Sequence, residues 1–222
     1  MISTVLFDLD GTLVDTAHDL GLALNLQRKK YGLAPLGMDK IRPVASHGSR
    51  GLLELGFGLI PQDASFDAMR IEYLDLYETV FTRQPVFLPG IEVLLKELTQ
   101  AGLQWGIVTN KPRRFSVDLI KSIKLLDTNL HDLSACLLCG DDALQPKPAP
   151  DILLMACSIT NTKPSECVYV GDAERDVEAG KAAGMKTVVA LFGYIATTDE
   201  PDTWGADWLI STPAELLEFL KL

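Results

Sequence analysis

The chain predicts an α/β fold, a doubly wound parallel-sheet (Rossmann-like) core with an inserted all-helical cap domain, on three observations. From residue 90 onward, short apolar runs, LQWGIVT (103–109), ACLLC (135–139), CVYVG (167–171) and KTVVAL (186–191), alternate with helix-length stretches. That order gives a parallel sheet covered on both faces. The chain opens on a strand, Val5 to Phe7, that runs directly into Asp8, Asp10 and Gly11. Residues 16–84 show no strand-like alternation, only apolar residues three and four apart. The expected division is a core of residues 1–15 and 85–222, interrupted by a helical cap of residues 16–84.

Each element has a local reason. Asp15 or Thr16 caps a helix running to about Tyr31, with Leu20, Ala23, Leu24 and Tyr31 on one face, and Gly32 ends it. A second helical piece follows His47-Gly48-Ser49. A third begins at Ser65, where Phe66, Met69, Tyr73, Leu76, Tyr77 and Val80 make the best amphipathic pattern in the chain. Gln84-Pro85 and Leu88-Pro89-Gly90 punctuate the return to the core. A helix from Gly90 to Ala101 stops at Gly102 before the strand 103–109, and Pro112 starts a helix to about Leu126. After the strand 135–139, Pro148 and Pro150 open a helix ending near Ile159. The strand 167–171 precedes a helix from about Arg175 to Ala183. The strand 186–191, a short strand DWLI (207–210) and a helix from Pro213 complete the chain.

Composition narrows the function. With 30 acids against 20 bases, the formal net charge of −10 argues against a nucleic-acid or anionic-membrane surface, where a basic face would be expected. No stretch approaches the roughly 20 apolar residues of a membrane span, and no basic region precedes an apolar run at the amino terminus, so a cytoplasmic protein is expected. Cys136 and Cys139 form a CxxC, but no second pair completes a zinc site, and the apolar segment around them predicts buried thiols.

In an open parallel sheet, ligands bind beyond the carboxyl ends of the strands. The residues just after the strands are Asp8 and Asp10, Thr109 and Asn110, Gly140 to Asp142 with Lys147 soon after, and Asp172 with Asp176. Carboxylates, a hydroxyl, an amide and a lysine at one rim suit a magnesium ion together with a phosphate, because Mg²⁺ takes a few carboxylate oxygens and shares a substrate phosphate. Asp8 and Asp172 would be ligands by side chain and Asp10 by its backbone carbonyl, with Lys147 and Thr109 holding phosphate oxygens. Blander roles compete. Asp8 and Asp10 also suit a solvated turn, Thr109-Asn110 a helix cap before Pro112, Lys147 a surface charge, and Asp172 with Asp176 a helix amino terminus.

DLDGTLVD, the Thr109-Asn110 pair, Lys147-Pro148 and GDAERD resemble, in order, the four motifs of the haloacid dehalogenase-like hydrolase superfamily, and the helical insert resembles the cap of its phosphatases. The resemblance implies Asp8 as nucleophile, passing through an aspartyl phosphate, and Asp10 as the acid and base serving the leaving group and then water. Thr109 and Lys147 would stabilise the transferring phosphoryl group, Asn110 would bind substrate beside them, and Asp172 would hold Mg²⁺. Asp176 would act from behind the ligands, orienting a water on the ion. TNKP (109–112) and FGYI (192–195) resemble bacterial phosphoglycolate phosphatases. WGIVTNKPRRF (105–115) and GYIATTDEPDTWGAD (193–207) resemble phosphatases of N-acetylmuramic acid 6-phosphate.

The expectation is therefore a phosphatase acting on a small phosphorylated metabolite, as a monomer or homodimer. A sugar-phosphate phosphomutase would share Asp8 and Asp10, and a phosphate-accepting receiver module would share the acidic pocket without needing the insert. A non-catalytic binding protein is the remaining alternative. In the cap, Arg50 is the candidate substrate contact and equally a candidate surface charge, with His47 beside it. Arg113, Arg114 and Phe115 face the pocket or crown a helix, and His18 and His131 have no evident partner.

Overall fold

The structure, a computed structural model, describes residues 2–222. In chain order the first elements are β1 (Thr4–Phe7), β2 (Val14–Asp15), α1 (Ala17–Lys30), α2 (Met38–Ile41), a 3₁₀ turn (Arg42–His47), α3 (Gly48–Phe57) and α4 (Phe66–Glu78). Then come β3 (Val86–Phe87), α5 (Ile91–Gln100), β4 (Gln104–Val108), α6 (Arg113–Ser122), β5 (Lys124–Leu125), β6 (Thr128–Asn129) and α7 (Leu130–Leu133). The chain closes with β7 (Leu137–Leu138), α8 (Asp151–Thr160), β8 (Cys167–Gly171), α9 (Glu174–Ala183), β9 (Lys186–Ala190), β10 (Trp208–Ile210) and α10 (Glu215–Leu220).

Six strands form one sheet in the order β10-β9-β8-β1-β4-β7, and every neighbouring pair is parallel. Successive side chains of a strand leave on opposite faces. Val5 and Phe7 of β1 accordingly pack with Leu94, Leu95 and Leu98 of α5, Leu119 and Ile120 of α6 and Leu216 of α10. Leu6 faces the other way, onto Ile152, Leu153 and Ala156 of α8 and Ala179 of α9. The sheet is thus doubly wound, and both faces of β1 are apolar because both are covered.

Helices α1, α3 and α4 form a separate layer. Leu20 and Leu24, Leu52 and Leu53, and Phe66, Tyr73 and Tyr77 build its core, which Phe115 and Tyr194 join from the sheet side. Among the described residues no helix is long and apolar enough to cross a membrane.

Several local expectations are corrected. Where the sequence suggests only loops, the two crossings into the helical layer pair as an antiparallel ribbon, Val14 with Phe87 and Asp15 with Val86. The helix expected from Pro112 to Leu126 stops at Ser122. A hairpin of β5 and β6 follows, turned by Leu126 and Asp127 at φ 51° and 62°. The strand expected over 135–139 narrows to Leu137–Leu138, although Ala135 N–H still bonds Trp105 O at 2.8 Å.

Of the two expected caps of α1, Thr16 makes no side-chain bond, while Asp15 Oδ1 accepts Ala17 N–H at 3.3 Å. The Tyr194 hydroxyl, 178 positions away, accepts Thr16 N–H at 2.7 Å and Ala17 N–H at 3.0 Å, and donates to Asp15 Oδ1 at 2.8 Å. A tyrosine from the sheet side thus satisfies the free amides at the start of the helical layer. Tyr194→Phe leaves those buried amides without this acceptor, and a loss of about 1–3 kcal/mol is expected in urea unfolding. Unchanged stability would contradict that role for the hydroxyl.

Candidate active site

The site is assembled at the carboxyl end of β1. Asp8 N–H bonds Val170 O at 2.9 Å, and Asp8 Oδ1 accepts Leu9 N–H at 2.8 Å, which fixes the carboxylate at the strand end. The chain then turns at Gly11, whose φ is +81° and where a Cβ would stand 2.2 Å from Asp172 Oδ2. Only glycine allows both that dihedral and that approach.

Carboxylate oxygens of Asp8, Asp172 and Asp176 lie within 4.8 Å of one another, all three residues buried. Lys147, with a side chain 0% exposed, reaches Asp8 Oδ1 at 3.1 Å and Asp176 Oδ1 at 2.8 Å, and donates to Val108 O at 3.2 Å. Asp176 Oδ2 accepts Ala173 N–H at 3.1 Å. Asp172 Oδ2 accepts Tyr194 N–H at 2.8 Å and the Ser46 hydroxyl at 2.6 Å, whereas the buried Oδ1 has no partner. Burial first, then the charges of Asp8 and Asp176, push the Asp172 carboxyl up to about 7.

One ammonium therefore pairs with two of three buried carboxylates, and the third keeps a buried oxygen without a hydrogen-bond partner, as a cation ligand would. Hard oxygen donors of this kind fit Mg²⁺.

Asp10 stands slightly apart. Its side chain accepts from the Thr16 hydroxyl, and its two oxygens lie 3.0 and 3.3 Å from Lys111 Nζ. Thr109 is buried at the end of β4, where its hydroxyl accepts Lys111 N–H at 3.2 Å. Asn110 spends both side-chain groups on the Lys147 backbone, accepting N–H at 2.9 Å and donating to the carbonyl at 2.9 Å. Its side chain thus positions Lys147.

The helical layer and this rim border an open cleft of about 1090 Å³ with Asp8, Asp10, Thr109 and Lys147 in its wall. Arg50 and His47 line the outer part of the same cavity and are exposed. Phe115 is buried against Tyr77 and Phe81, with ring centroids 5.1 and 5.4 Å away. Arg113 turns away to pair with Asp142, and Arg114 lies 3.9 Å from Glu78. His131 pairs with Asp132, and His18 is exposed. Cys136 and Cys139 are free and buried, and burial raises both thiols to about 11, as suits inert core residues.

Four residues escape the sequence reading: Lys111, Ser46, Tyr194 and Arg175, which donates to Ser46 O at 2.7 Å. Lys111 stands in the quoted TNKP and Arg175 in GDAERD, so strand-end position is a signal for these two. Tyr194 stands in the quoted FGYI, shortly after β9, and Ser46 carries no such signal.

The family model for haloacid dehalogenase-like hydrolase matches residues 5–190. The N-acetylmuramic acid 6-phosphate phosphatase of Pseudomonas aeruginosa is 38% identical, covering 99% of this chain and 95% of its own length. A phosphoglycolate phosphatase of Xanthomonas campestris is 40% identical, covering 96% and 94%. Among solved structures, a predicted phosphoglycolate phosphatase from Haemophilus somnus superposes with a TM-score of 0.83 at 22% identity, covering 99% of this chain and 98% of its own. CbbY from Rhodobacter sphaeroides, in complex with phosphate, superposes at 0.77 with 23% identity over 100% of both chains. These two share the fold, while the curated relatives and the family model carry the assignment: the chain is an enzyme that belongs to the haloacid dehalogenase-like hydrolase family.

Proposed function

We propose that the chain is a Mg²⁺-dependent phosphomonoester hydrolase that works through an aspartyl phosphate on Asp8. Its substrate is a small phosphorylated metabolite, with 2-phosphoglycolate and N-acetylmuramic acid 6-phosphate, the substrates in the relatives' names, as leading candidates. The observation that carries the reading is the asymmetry of Asp8: Leu9 N–H and Lys147 Nζ both hold Oδ1, at 2.8 and 3.1 Å. Among the described residues Oδ2 has no such partner and is left to attack.

The steps follow from the side chains. Asp8 Oδ2 forms a bond to phosphorus as the ester P–O bond breaks, and the leaving oxygen takes a proton from Asp10. A water then attacks phosphorus, gives its proton to Asp10, and the Asp8–phosphorus bond breaks to release phosphate. Lys147 and the Thr109 hydroxyl stabilise the phosphoryl oxygens during both transfers. Asp176 holds Lys147 in place. Asp8 and Asp172 by side chain, and Asp10 by its backbone carbonyl, are the residues to hold Mg²⁺, which supplies charge to offset the phosphoryl oxygens.

We read the helical layer over residues 16–84 as the cap: it borders the cleft and limits the access of bulk water to the transferring group. Arg50 is its candidate substrate contact. Four free buried thiols accord with the cytoplasm, and a monomer or homodimer is expected.

Release of inorganic phosphate from each candidate substrate tests the reading. Formation of an isomeric sugar phosphate in its place would show a phosphomutase. Asp8→Asn should lower kcat by roughly 10³-fold or more, and Asp10→Asn by about 10²- to 10⁴-fold with Mg²⁺ affinity nearly unchanged. Full activity of either variant would remove that residue from its role.

EDTA should abolish turnover and Mg²⁺ restore it. Because the free Asp172 carboxyl titrates near pH 7, a proton competes with the cation there. Mg²⁺ affinity should therefore weaken as pH falls below about 7. Titration calorimetry at pH 8 and pH 6 checks the sign, and equal affinity at both would contradict it.

A further inference from the structure

Lys111 is the third residue after β4, and its backbone is fixed on both sides. Its N–H bonds the Thr109 hydroxyl at 3.2 Å, and its carbonyl accepts Gly140 N–H at 3.1 Å and the Ser116 hydroxyl at 3.3 Å. The side chain, 6% exposed, lies in the wall of the cavity with Asp8, Asp10 and Thr109. Its ammonium sits 4.8 Å from the centre of the Tyr77 ring, a surface that holds a cation without supplying a hydrogen-bond acceptor. An ammonium has three donors. Among the described residues the only acceptors it meets are the two oxygens of Asp10, at 3.0 and 3.3 Å.

Of the other cations that line the cavity, Arg50 is exposed in the helical layer and three are held by partners. Lys147 is held by Asp8 and Asp176, Arg175 by Ser46 O, and Arg70 by the Ser49 hydroxyl at 3.2 Å. Lys111 is the buried cation on the Asp10 side. Simple neutralisation of Asp10 explains it poorly. The Thr16 hydroxyl already supports that carboxylate, and a buried ion pair loses in desolvation much of what it gains.

Position is more informative. To be protonated by Asp10, the leaving oxygen must come within hydrogen-bond reach of that carboxylate. Atoms one or two bonds beyond the leaving oxygen then lie beside Lys111 Nζ.

We infer that Lys111 is a specificity-determining residue that recognises a carboxylate carried on the carbon next to the ester oxygen of the substrate. The inference rests on the phosphatase reading and sharpens it. A short phosphorylated 2-hydroxy acid places its carboxylate against Lys111, whereas a sugar phosphate with a distant acid does not. The Tyr77 ring keeps the ammonium directed at that position, so discrimination joins the cap to the end of β4.

The test compares kcat/KM for 2-phosphoglycolate and for ethyl phosphate, which has the same skeleton without the carboxylate, in the wild type, Lys111→Met and Lys111→Arg, with thermal unfolding as the folding control. The wild type should prefer 2-phosphoglycolate by about 100-fold or more. Lys111→Met should shrink that preference about 10- to 100-fold, the size of a lost charged hydrogen bond, and Lys111→Arg should keep part of it.

An equal loss for both esters in Lys111→Met would overturn the inference and leave Lys111 as a support for Asp10. So would a wild type without preference, or one that turns over N-acetylmuramic acid 6-phosphate alone. Failure of the wild type to release phosphate from any of the three overturns the phosphatase reading itself and the inference with it. Should Lys111→Met not fold, inhibition of the wild type decides. 3-Phosphonopropionate should bind at least about 10-fold more tightly than propylphosphonate, and equal inhibition overturns the inference.

Discussion

A single ammonium, Lys147, buried with no exposed side-chain surface between Asp8 and Asp176, is the constraint on which the site depends. Charges removed from water persist only when paired and hydrogen-bonded. Asn110 holds the Lys147 backbone from both ends, and Val108 O and Asp176 hold its head group. The pairing satisfies Asp8 and Asp176 and leaves Asp172 in excess. The raised titration of Asp172 and its partnerless Oδ1 are the same fact seen twice. The three carboxylates outnumber the one ammonium, and the place is short of positive charge.

The same carboxylate ties the chemistry to the helical layer. Ser46, in the 3₁₀ turn before α3, donates to Asp172 Oδ2, and Arg175 donates back to Ser46 O at 2.7 Å. Tyr194 bonds Asp172 through its N–H and the start of α1 through its hydroxyl. Arg42 pairs with Asp15 and lies 5.2 Å from the centre of the Tyr194 ring. Any movement of the layer would change the partners of a candidate metal ligand.

Asp8, Asp10, Thr109, Lys147, Asp172 and Asp176 are legible in the sequence because each follows an apolar strand, and parallel strands deliver their ends to one rim. Residues that work through distant partners are harder to read. Ser46 is 126 positions from Asp172, and Tyr194 is 178 from Thr16. Ser46 has no local pattern, and the place of Tyr194 after an apolar strand does not show that its hydroxyl reaches the start of α1. The ribbon of β2 and β3 has two residues per strand, too few to show alternation. The hairpin after α6 hides for another reason: Ile123 and Leu126 continue the three-residue apolar spacing from Ile120, and the turn places Leu126 and Asp127, not glycine, at positive φ. Asn110 shows that position outruns role, since it lies at the rim while its side chain serves Lys147.

The proposed mechanism requires Asp8 to become covalently phosphorylated. Mass spectrometry of enzyme quenched in acid during turnover tests it most directly. One phosphoryl group is expected on the peptide containing Asp8, removed by hydroxylamine and absent from Asp8→Asn. Steady turnover with no phosphorylated peptide at any quench time, or a phosphoryl group on another residue, would contradict it.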